Sequence, residues 1–185
     1  MSRTDGTALK GIFSLLRNER FSDLLVPGVV RTEDPDQHFQ LLLDTVYLQA
    51  GGEGPYLRLS ALDQGDQLGL SIVDGIEHDS MLVADEDVRA GVVSLAPIHF
   101  GEFETLRCES VRFLVDERSA VDDGVVKFAE FIFEGEQCVS FDPLWTFGIR
   151  IGSAGAAARY QKDRPGAFGY REEFRWTSDS ADNME

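Results

Sequence analysis

The stretch Gly124-Val-Val-Lys127-Phe-Ala-Glu130-Phe-Ile-Phe133 decides the fold class. Read at the two-residue period of a strand, Val125, Lys127, Ala129, Phe131 and Phe133 share one face, and Val126, Phe128, Glu130, Ile132 and Glu134 share the other. Neither face is purely polar, so this strand is predicted to be central and covered on both sides. Glu134-Gly135-Glu136 then makes a tight turn into a second β-rich run over residues 137–141.

Outward from this pair, short β-rich runs recur at residues 45–50, 56–62, 68–73, 81–84, 91–95, 105–115 and 146–151, with a turn about every ten residues. At the start of the chain, Leu9, Ile12, Phe13 and Leu16 follow the spacing of one helical face, and Phe21, Leu24 and Leu25 repeat it. The predicted fold is α+β and predominantly β: an antiparallel sandwich or partly closed barrel with an N-terminal helix packed on it. The expected organisation is a single domain over 1–185, with a helical segment over 1–27, bent near residues 18–22 and stopped by Pro27-Gly28, and a disordered polar tail over 177–185. Residues 35–46 fit either a helix capped by Asp34 or the approach to a hairpin, and the hairpin reading is preferred for the later part. A short helix is expected at 154–161 and an edge strand at 174–176.

Charge is the sharpest compositional feature. Between Thr32 and Asp87 thirteen acidic residues face one basic residue, Arg58, a net of −12 within the whole chain's −16. Between Arg150 and Arg175 six basic residues face three acidic ones. Such a field steers a basic protein toward the acidic region and repels nucleic acid. No apolar run approaches the length that crosses a bilayer, and charges at Lys10, Arg17, Glu19 and Arg20 interrupt any secretory leader, so a cytoplasmic protein with no membrane partner is expected. Cys108 and Cys138 lack metal or redox spacing.

Motifs for chemistry are sparse. The run 152–157, Gly-Ser-Ala-Gly-Ala-Ala, lies between a predicted strand and a predicted helix, where a glycine-rich loop can hold phosphate. It lacks the dinucleotide and triphosphate signatures and reads mainly as a connection. The acidic pairs match no calcium loop, and neither a metal nor a cofactor is expected. His38, His78 and His99 are possible general bases, but no nucleophile elbow or zinc-protease signature accompanies them.

The leading expectation is a non-catalytic acidic protein, of inhibitor or immunity type, that presents a negative face to a basic protein. Asp63, Asp66, Asp74, Glu77, Asp79, Trp145 and Arg150 are its contact residues. An enzyme or small-ligand-binding β-barrel with a pocket built from distant residues is the alternative, and acidity that serves solubility alone is the third reading.

Overall fold

Helix α1 (Thr7–Asn18) buries Leu9, Ile12, Leu15 and Leu16 against the sheet, as an apolar stripe at helical spacing must. This is seen in a computed structural model, which describes residues 7–33, 38–63, 66–78, 86–145, 147–163 and 172–178. Phe13, at the margin of the stripe, stacks on Phe174 and Trp176 with ring centroids 5.9 and 5.6 Å away.

The helix ends at Asn18, and residues 20–27, expected to continue it, instead open strand β1 (Arg20–Arg31). A bulge accounts for the difference. The register of β1 shifts between Phe21 and Asp23, and the extra residue lets Phe21 and Leu24 both point into the core although they are three apart. A bulged strand thereby reproduces a helical spacing.

Pro27 sits inside β1 without breaking it. On one side β1 pairs first with β3 (Thr45–Ala50), as far as Leu25, and then with β2 (Phe39–Leu41), from Gly28. The Pro27 carbonyl points to that side, accepting the Leu42 N–H at 2.9 Å, so the missing proline N–H falls in the gap between the two partners. Gly28 is required by close approach, because a Cβ there would lie 2.3 Å from the Phe39 ring.

The remaining strands are β4 (Tyr56–Leu62), β5 (Gln67–Val73), β6 (Val88–Ser94), β7 (Leu106–Val115), β8 (Val125–Val126), β9 (Phe128–Phe133), β10 (Gln137–Trp145), β11 (Gly148–Gly152) and β12 (Glu172–Thr177). Two further α-helices among the described residues are α2 (Ala96–His99) and α3 (Ala156–Asp163), and short 3-10 turns lie at Val121–Asp123 and Glu134–Glu136. All pairings are antiparallel, in the order β11-β10-β9-β7-β1-β3-β4-β5-β8, with β2 and β6 added on β1 and β12 on β7. The sheet does not close on itself. The hairpin expected from residues 45–62 is present as β3–β4, while the strand expected at 81–84 and most of the expected tail lie outside the described residues. No helix among the described residues is long and apolar enough to cross a membrane.

The deciding stretch is central, as its pattern requires. Strand β9 lies between β7 and β10, with Phe131 and Phe133 in the main core and Phe128 and Glu130 buried on the opposite face, where Tyr160 of α3 meets Phe128 at 5.0 Å. It is nevertheless split at Lys127. Val125 and Val126 pair with β5, whereas Phe128 onward pairs with β7 and β10, so the chain passes from one part of the sheet to the other at this residue.

Just before that crossing, Gly124 has φ +77°, and a Cβ on it would fall 2.5 Å from the Leu70 carbonyl oxygen. Gly124→Ala is therefore expected to cost about 2 kcal/mol and to lower Tm by roughly 4–8 °C. A thermal melt unchanged by the substitution would contradict this placement.

Candidate functional site

The β4–β5 hairpin carries most of the acidic residues singled out in the sequence, but it separates them. Asp63 and Asp66 lie in its turn, whereas Asp74 and Glu77 follow the far end of β5, about 20 Å away for seven-residue strands. Asp79 lies outside the described residues, as does the Trp145 side chain, and the Trp145 backbone ends β10 opposite Gly148. Arg150 is on β11, at the other end of the strand order. The seven residues do not converge on one face.

Asp66 is engaged inside the protein. Lys127, fully buried, places Nζ 2.5 Å from Asp66 Oδ1, 2.7 Å from the Asp66 carbonyl oxygen and 3.3 Å from Asp116 Oδ2. Arg118 pairs with the other Asp66 oxygen. Around Asp116, the Gln67 amide donates at 3.1 Å, the Ser119 hydroxyl at 3.1 Å and the Arg118 N–H at 3.0 Å. Burial by itself raises the Asp116 pKa, but these donors and the Lys127 ammonium outweigh it and hold the carboxyl below its ordinary value.

At the opposite end, Glu77 pairs with Arg58 at 2.5 Å, and its backbone N–H donates to the Tyr47 hydroxyl at 3.1 Å. Arg58 is the one basic residue of the acidic segment, so this pair uses the local countercharge. Exposed Glu53 and Asp74 form no ion pair among the described residues.

These last two lie in sequence beside residues that line a groove. Two adjoining hollows of about 320 and 270 Å³ run between α1 and β5, lined chiefly by Gly11, Ser14, Leu15, Asn18, Pro55 and Ile72. Ile72 is 40% exposed. Glu19 lines the same groove, Glu53 precedes its Pro55, and Asp74 follows its Ile72. Residues 11, 14, 15 and 18 form one stripe of the helix, while Lys10 and Arg17 occupy another. On its outer edge β5 is met as far as Leu70, whose N–H donates to the Gly124 carbonyl, and no described strand pairs with it there beyond that residue.

Burial shifts the pKa of two thiols and one imidazole. Burial pushes the Cys138 thiol up to about 12, with the Glu130 carboxylate adding to the effect, and burial raises Cys108 further. Burial lowers the His99 pKa. Among the described residues no three of His, Cys, Asp or Glu converge as a metal site. Sequence reasoning passed over Lys127, Asp116 and Asp142 as charged groups of consequence. The available signal was a lysine or carboxylate inside a run that otherwise reads as core. Gly11, a glycine within a helical pattern, was the corresponding signal for the groove. Neither a protein-family model, nor a curated protein, nor a solved structure matches this chain.

Removing Lys127 would leave two carboxylates sharing a buried site, with Arg118 as the cation paired to them among the described residues. Lys127→Met is expected to cost about 3–5 kcal/mol in urea unfolding at pH 7. Since the folded-state pKa of Asp116 is depressed, its contribution to stability is present above the ordinary carboxylate range and lost as pH falls into and below it. Asp116→Asn should accordingly flatten the acid limb of a stability–pH profile, and an unaltered limb would count against the cluster.

Proposed function

We propose that this chain is a non-catalytic binding protein that takes a basic protein partner against the groove between α1 and β5. The observation that carries the reading is an apolar floor, Leu15, Pro55 and Ile72, with Glu19 in its lining and Glu53 and Asp74 each two residues from a lining residue, none of the three paired with a cation among the described residues. An apolar centre within a charged rim is the ordinary anatomy of a protein interface, and a rim of one sign selects a partner of the other. Of the contact residues expected from sequence, Asp74 follows the groove residue Ile72 by two positions, Glu77 and Asp79 come later in the chain, and Asp63 lies at the far end of the hairpin.

Gly11 supports the same reading. A glycine inside a helix costs up to about 1 kcal/mol relative to alanine, yet a Cβ here would meet Ile72 Cδ1 at 3.6 Å, an ordinary contact. Packing does not require the glycine, and its absent side chain deepens the groove. The architecture we favour is a sandwich in which β3, β4 and β5 face β9, β10 and β11, supported by packing of β10 against β4 and β5 and of β11 against β3 and β4. The two unbridged cysteines suit a cytoplasmic setting.

The test is capture of a stoichiometric basic protein at low salt, followed by groove variants. Glu19→Lys with Asp74→Lys should abolish capture, and Gly11→Gln should weaken it at least tenfold, while Asp63→Lys leaves it intact. Gly11→Ala should meanwhile raise stability by up to about 1 kcal/mol. Capture that survives the groove variants, or that Asp63→Lys alone removes, would sink the proposal.

A further inference from the structure

We infer that the cavity between the β10–β11 hairpin and α3 binds a small oxyanion, the carboxylate or phosphate end of a small metabolite. This cavity of about 190 Å³ is lined by Phe128, Ser140, Asp142, Arg150, Gly152 and Arg159, with Ala156 at the helix start. It lies on the face of the sheet opposite the main core. Ser140 is opposite Gly152 and Asp142 opposite Arg150 across the β10–β11 ladder, which brings all four to one place.

The donors face an unequal set of acceptors. Asp142 is paired with Arg150 at 2.7 Å. Glu130, behind the cavity wall, accepts the Ala157 N–H at 3.3 Å and lies 3.9 Å from Arg112. Arg159 makes one long contact, 3.5 Å to the Ala154 carbonyl, and no carboxylate pairs with it among the described residues. The charged side chains lining the cavity therefore leave one positive charge over, inside a protein of net charge −16.

Ser140 adds an independent observation. It is only 1% exposed, and its side chain lines the cavity. A hydroxyl that lines a cavity is placed to donate to an oxyanion held there. Gly152 keeps the space open, because a Cβ there would stand 2.6 Å from Ser140 Oγ.

The glycine-rich run 152–157 thus borders an anion site by a route other than the one its pattern suggests. Two N–H groups at the start of α3 are already used, Ala156 bonding Ser153 O and Ala157 bonding Glu130. The guanidinium forks of Arg150 and Arg159 and the Ser140 hydroxyl are the donors that remain, and guanidinium suits planar and tetrahedral oxyanions alike. The volume is below that of drug-sized pockets, which restricts the ligand to a few heavy atoms beyond the oxyanion.

The experiment is calorimetric titration of the full chain with inorganic phosphate and, separately, with malonate, at ionic strength held constant with chloride. Saturable binding of at least one anion is expected, and which one binds identifies the class. Arg159→Gln should weaken that binding at least tenfold and Ser140→Ala at least threefold. Arg89→Gln, on β6 and away from the cavity, should leave it unchanged. Absence of saturable binding for both anions, or wild-type affinity in Arg159→Gln and Ser140→Ala together, would overturn the inference.

Discussion

The buried Lys127 ammonium is the interaction on which the rest of the fold depends. It lies where the chain leaves β8 and enters β9, and its partners come from two other places: Asp66 from the β4–β5 turn and Asp116 from just past the end of β7. Three segments far apart in sequence are pinned at one point inside the protein. Taking charges out of water is costly, so the arrangement holds only because each polar atom has a partner at short range. What the cluster contributes is position, fixing where the β4–β5 hairpin stands relative to β7 and β9.

That position has consequences on both sides of the sheet. Toward α1, the hairpin presents β5 and Ile72 beside Gly11, so the groove inherits its shape from the same register that places Asp66 near Lys127. Toward α3, β9 carries Phe128 and Glu130 outward, and these form the floor under the helix and the acceptor for its first turn. The strand that crosses at Lys127 thereby serves both candidate sites. The acidity is distributed accordingly: Asp66 is paired internally, Glu77 is balanced by Arg58, and Glu19, Glu53 and Asp74 have no paired cation among the described residues.

Much of the fold was legible in the sequence because period and turn chemistry are local. The β3–β4 and β9–β10 hairpins, the first helix and the short helix after β11 all follow from patterns within about a dozen residues. The start of β1 was misread because a bulge gave Phe21 and Leu24 the spacing of a helix, and a bulge is defined by its partner strand, which the sequence does not show. The candidate sites were less legible for the same reason. Seven charged or aromatic residues chosen for type were dispersed to three regions or fell outside the described residues. The residues that do converge, such as Ser140, Arg150 and Arg159, are joined by cross-strand register and helix packing. Lys127 and Glu130 stood in plain view inside an apolar strand, and their burial was the signal.

The central claim is that Lys127 and its carboxylates act as one unit, and a double-mutant cycle between Lys127→Met and Asp116→Asn tests it most directly. The account predicts a coupling of at least about 1 kcal/mol, the double variant being less destabilised than the two single variants added together. Strict additivity would show that the two residues contribute independently and would contradict it.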